Sequence, residues 1–174
     1  MNPIPADENA GDFVPEAMAR HQASLLRYAT RLLGDPDRAR DVVQDTFVRF
    51  LARPAAAADD HVPEWLFTVC RHRAFDVLRK EGRMKRFSEG QVEAVPAADP
   101  RPGAALEQAE TQAALRRLID RLPPNQQEVV RLKFQNGFSY KEISRITELS
   151  ISNVGFLIHT AVRRLREDCA AQQL

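Results

Sequence analysis

The sequence has almost nothing from which to build a β-sheet. Over 174 residues no β-branched run with a period of two occurs, so an all-α fold is expected. No apolar run approaches the ~20 residues that a membrane-spanning helix needs, so no membrane insertion is expected. The first 13 residues are acidic and lack a basic start followed by an apolar stretch. No signal peptide is therefore expected, and residues 1–13 are expected to be a disordered N-terminus of a cytoplasmic protein. Cysteine is scarce: Cys70 and Cys169 lie far apart, which fits a reducing compartment and not a disulfide framework. A glycine-rich phosphate loop, a nucleophile elbow and metal-ligand spacing are all missing. No enzyme, no metal and no cofactor is expected.

What is present is helical patterning and segregated charge. The formal net charge is only +1, but it alternates along the chain. Residues 1–62 carry net −3, 63–86 net +4, 87–112 net −4 and 113–174 net +4. Two basic blocks around an acidic spacer suit two separate contacts with a polyanion; solvated helix faces are the plainer reading.

The first helix spans roughly 14–33, with Met18, Leu25, Leu26, Leu32 and Leu33 as its apolar set. Gly34-Asp35-Pro36 ends it and opens the next, with Asp35 as the cap and Pro36 at the first helical position. That second helix runs to about Ala52. Val42, Val43, Phe47, Phe50 and Leu51 form its apolar face, with Arg40, Asp41, Gln44, Asp45, Val48 and Arg49 opposite. Pro63 opens a third helix with Leu66, Phe67, Cys70, Ala74, Val77 and Leu78 in its stripe. Cys70 within that stripe reads as a small buried hydrophobe.

Residues 87–104 contain Pro96, Pro100, Pro102 and Gly103 among acids and small residues, the composition of a flexible linker. A helix from about Ala105 to Leu122 follows, burying Leu115, Leu118, Ile119 and Leu122. Pro123-Pro124 launches a short helix to about Gln135, and Asn136-Gly137 is a turn. Ser139 with Glu142 forms a capping box for the next helix. Ser150 caps the last, which runs to about Asp168.

In that last helix Ile151, Val154, Ile158, Ala161, Val162 and Leu165 share one face. Phe156 centres the other, flanked by Ser152, Asn153, Thr160, Arg163 and Arg164. Two helices joined by a tight break, with a polar outer face on the second, make a helix-turn-helix, whose outer face enters the major groove. Arg163, Arg164, Arg166, Lys141 and Arg145 are placed to reach phosphates. A plain three-helix core has the same spacing. The third helix carries Arg71, Arg73, Arg79, Lys80 and, beyond it, Arg83, with Trp65 and Phe75 off the stripe. Cations interleaved with rings suit unpaired nucleic acid, although either ring could instead pack on a neighbouring helix.

These residues carry a family resemblance. The run from Asp41 through Gln44, Asp45, Phe47 and Val48 to Leu51 is similar to the polymerase-binding helix of bacterial extracytoplasmic-function sigma factors. Trp65-Leu66 followed by Arg71, Ala74, Asp76, Leu78 and Arg79 resembles their next helix. Leu122-Pro123-Pro124 with Glu128, then Gly137 to Ile143, resembles their C-terminal DNA-binding domain. The match covers about residues 14–86 and 106–167, in the right order.

The resemblance implies two small helical domains. Residues 14–86 would be the region 2-like domain, binding the RNA polymerase core and the melted minus-ten element. Residues 105–174 would be the region 4-like domain, reading the minus-thirty-five element of promoter DNA. Asp41, Gln44, Asp45, Phe47 and Val48 would touch polymerase, and an anti-sigma factor is a further expected partner. This sequence departs from the family where Gly155, Phe156 and Leu157 replace a polar-basic run, and where His72 replaces a common Asn. Two other readings fit parts of the chain: a DNA-binding regulator acting without polymerase, and a protein-docking module using Phe156 and Leu157.

Overall fold

A computed structural model of the protein describes residues 10–53, 61–82 and 106–172. The described residues are helices and connecting turns, with no strand among them. There are seven: α1 (Ala10–Leu33), α2 (Pro36–Leu51), α3 (Val62–Lys80), α4 (Leu106–Asp120), α5 (Pro124–Phe134), α6 (Tyr140–Thr147) and α7 (Ile151–Gln172). Helix α1 begins ahead of the expected residue 14, and α7 continues past Asp168. The linker expected at 87–104 lies outside the described residues. The chain divides into two compact units at Lys80 and Glu81.

In the first unit α1, α2 and α3 pack on one another. Gly34 adopts φ 71° after its N–H donates to the Thr30 carbonyl at 2.8 Å, a left-handed stop that a side chain would resist. The Asp35 carboxylate then accepts from the backbone N–H groups of Asp37 (2.9 Å) and Arg38 (3.2 Å), satisfying donors the new helix leaves free. The core holds Leu25, Tyr28 and Ala29 of α1, Val43, Phe47 and Phe50 of α2, and Leu66, Phe67 and Cys70 of α3. The Tyr28 and Phe67 rings meet at 5.1 Å between centroids. Cys70 is fully buried; loss of solvation pushes its thiol up to about 12, against a hydrogen bond with Thr46 that pulls the other way. Thr46 is itself buried in the stripe, its hydroxyl donating to the Val42 carbonyl at 2.7 Å.

In the second unit Leu118, Ile119 and Leu122 pack against Val130, Ala161 and Leu165, with Cys169 beside them. The two prolines remove donors where α4 meets α5, and one side chain closes the gap. Gln127 donates its amide to the carbonyls of Asp120 (2.9 Å) and Leu122 (2.7 Å) while accepting from Arg131 at 2.8 Å. Arg131, buried, also pairs with the Asp120 carboxylate. The Ser139–Glu142 capping box forms in both directions. Between α6 and α7, Glu148 takes φ 61° and the Ser144 hydroxyl donates to the Leu149 carbonyl at 2.6 Å. Ser150 accepts from the Asn153 N–H at 3.2 Å. This turn sets the direction of α7.

Three side chains expected inside lie outside. Leu51 is exposed because at ~100° per residue it falls past the edge of the arc that buries Val43, Phe47 and Phe50. Leu115 is exposed ahead of the cluster around Leu118, and Ile151 is exposed at the first residue of α7.

Candidate functional site

The outer face of α2 follows from its period. Asp41, Gln44 and Val48 are exposed, Val48 by 57%, and Asp45 is half-buried beside them. Phe47 corrects the sequence reading. It is only 3% exposed, its ring spent on the core between α1 and α3, so it supports the face from beneath and offers it no contact surface.

Asp45 is committed within the unit. Its carboxylate takes the Arg73 guanidinium from α3, and Arg49 approaches the same oxygen at 3.3 Å. Arg73 also lies 3.6 Å from Asp76. A residue expected to touch polymerase and one expected to touch DNA are thus each other's counter-ions, a partly exposed pair that bridges α2 and α3.

On α3 the basic residues divide by exposure. Arg79 and Lys80 are exposed, with Arg79 paired to Asp76 at 3.0 Å. Arg71 is half-buried, its guanidinium 4.3 Å from the Phe75 ring centre. Trp65 is half-buried: its ring packs on Phe50 at 5.7 Å, and the Arg53 guanidinium lies 4.8 Å over it. The ring therefore ties α3 to the end of α2. Arg83 lies outside the described residues.

In the second unit Ser152, Asn153, Phe156, Arg163 and Arg164 are exposed along one stripe of α7, with Thr160 half-buried among them. The opposite stripe, Val154, Ile158, Ala161 and Leu165, is buried. Lys141 and Arg145 are exposed on α6. The arrangement is a rigid polar helix face carrying donors, cations and one ring, which is chemistry for binding and not for bond-making.

Sequence reasoning missed two contributors. Arg53, just past the end of α2, covers Trp65. Tyr140 was read only as part of a motif, yet its ring sits 3.6 Å from where a side chain on Gly155 would start, with the Lys133 ammonium 5.5 Å from the ring centre. The helix spacing of Tyr140 gave no sign of this, because the contact crosses the turn between α6 and α7.

Comparison with known proteins places these faces in a family. Residues 17–84 match the model for Sigma-70 region 2, and residues 112–165 the model for Sigma-70, region 4. The chain is 32% identical over 143 residues to the ECF RNA polymerase sigma factor EcfG of Rhodopseudomonas palustris, covering 82% of this chain and 77% of that one. It is 33% identical over 153 residues to SigL of Mycobacterium tuberculosis, covering 84% and 82%. Among solved structures it is similar to the sigma factor RpoE of Bartonella quintana, crystallised with the anti-sigma factor NepR. That similarity has a TM-score of 0.67 at 27% identity and covers 90% of this chain and 95% of the other. The chain belongs to the extracytoplasmic-function RNA polymerase sigma factors, non-enzymatic proteins that bind polymerase core and direct transcription initiation at promoter DNA.

Proposed function

We propose that the two units divide the work as the faces suggest. The domain of residues 14–86 grips the polymerase core through Asp41, Gln44 and Val48, with Asp45 fixing the helix that carries them. Its α3, with Trp65, Arg71, Arg79, Lys80 and the following Arg83, meets the opened minus-ten element, where cations follow the backbone and a ring can hold an unpaired base. The domain of residues 105–174 reads the minus-thirty-five element as duplex through Ser152, Asn153, Phe156 and Thr160. Lys141, Arg145, Arg163 and Arg164 lie against phosphates. The proline-containing segment 87–104, with Glu89, Glu93 and Asp99 against the single Arg101, links them and, by its charge sign, follows a route otherwise taken by nucleic acid.

The observation that carries this reading is the α7 stripe. Its inner residues are consumed by the core while Ser152, Asn153, Phe156, Arg163 and Arg164 remain exposed behind a capped turn. The protein acts in the cytoplasm, where polymerase is; among the described residues no helix is long and apolar enough to cross a membrane. The NepR complex of the Bartonella quintana relative supports an anti-sigma factor as a further partner. Run-off transcription with core polymerase over a genomic fragment library tests the assignment. Discrete promoters should emerge whose output falls when Arg163 and Arg164 are both changed to Ala; equal output from the double variant at every template would remove α7 from the promoter.

A further inference from the structure

We propose that Phe156 is a base-reading side chain that takes the 5-methyl group of one thymine in the major groove of the upstream promoter element. This deepens, and rests on, the reading of α7 as the duplex-binding helix. Phe156 is 65% exposed at the middle of the outward stripe. At ~100° per residue, Ser152 and Thr160 stand one turn to either side of it and Arg163 nearly in line two turns on. Every neighbour on the stripe can hydrogen-bond; Phe156 cannot. Among the groups that base pairs present in the major groove, the thymine methyl is the apolar one that such a ring can recognise.

The surroundings favour DNA over a protein partner. A protein-docking face needs a contiguous apolar patch of several hundred Å². Leu157 is half-buried. Gly155 on the other side has no side chain, and the Tyr140 ring lies 3.6 Å from where one would start. The exposed Ile151 sits about 140° around the helix. Phe156 is therefore the one ring on the polar, cationic stripe of α7, with the partly exposed Tyr140 ring of α6 beside it, which fits one methyl and not a hydrophobic groove. Removing a methyl from such a contact should weaken binding about fourfold.

The test uses the full chain assembled with core polymerase. Duplexes are selected from a pool randomised across the upstream element, and the selected sequence is rebuilt with deoxyuridine replacing each thymine in turn. That exchange removes one methyl and leaves the pairing edge intact. Wild-type holoenzyme should lose about fourfold in affinity at one thymine. Phe156→Ala, at an exposed position where the fold is kept, should bind the thymine duplex more weakly and be indifferent to the exchange; Phe156→Leu should retain part of the sensitivity. The assignment is overturned if every thymine can be exchanged without loss, or if Phe156→Ala keeps the same sensitivity. It is equally overturned if Phe156→Ala releases polymerase while thymine discrimination is unchanged, because the ring then contacts protein. Failure of the wild-type chain to select any duplex would remove the parent reading as well, and that result appears before any thymine is exchanged.

Discussion

Phe47 and Val48 are adjacent in sequence and face opposite ways, so the same change at each should produce opposite phenotypes. Phe47→Ala empties a site that is 3% exposed, and truncating a buried phenylalanine costs about 3–5 kcal/mol. A unit of this size is stable by only ~4–10 kcal/mol, so Phe47→Ala should shift its urea midpoint sharply and lose polymerase by unfolding. Val48 is 57% exposed, and its truncation should change stability by no more than ~0.5 kcal/mol. If its two methyl groups are buried on polymerase, their loss costs about 1.5 kcal/mol, roughly tenfold in affinity. Denaturation followed by circular dichroism, beside core-polymerase titration of labelled protein, separates the two effects. The reasoning is refuted if Val48→Ala unfolds the unit as Phe47→Ala does. It is refuted equally if Phe47→Ala keeps full stability and loses polymerase affinity.

Three further outcomes follow from particular contacts. A double-mutant cycle on Asp45→Asn and Arg73→Gln should give a coupling no larger than about 1 kcal/mol, because both side chains are roughly one-third exposed. The coupling should shrink in high salt; a salt-insensitive coupling above ~2 kcal/mol would contradict that view. Gly155→Ala should raise the melting temperature, stabilising α7 by about 1 kcal/mol, since the new methyl meets Tyr140 at an ordinary 3.6 Å; an unchanged or lower melting point opposes this. Cys70 is held protonated up to about 12 in the fold against 9.0 when unfolded. Its contribution is therefore complete below pH 9, and above that the unfolded chain loses a proton that the folded chain keeps. Stability should fall by up to about 1.4 kcal/mol per pH unit there, a slope that Cys70→Ala should lack when urea melts at several alkaline pH values are compared.

Much of the fold was legible because it rests on local rules. Asp35, Ser139 with Glu142, and Ser150 cap the helices they were expected to cap, since capping depends on side chains within three residues. The buried stripes around Phe67, Cys70, Val154 and Ile158 follow from the 3.6-residue period. The period failed at Leu115 and Ile151, where a helix or its covering neighbours run out, because periodicity gives the face and not its extent; Leu51 lies past the edge of the face that the period itself defines. Pairing across helices was not legible at all. Nothing in the spacing joins Asp45 to Arg73, Trp65 to Arg53, or Tyr140 to Gly155. The family motif carried Phe47 into the polymerase set together with its neighbours, although its position on the α2 stripe already put it in the core.

The central claim is that this chain lends promoter choice to a polymerase that lacks it. Its most direct measurement is transcription by purified core polymerase on a genomic fragment library, with and without the purified protein. The account predicts discrete new start sites that appear only with the protein, and polymerase that co-purifies with it. Absence of both association and any protein-dependent start site would contradict it.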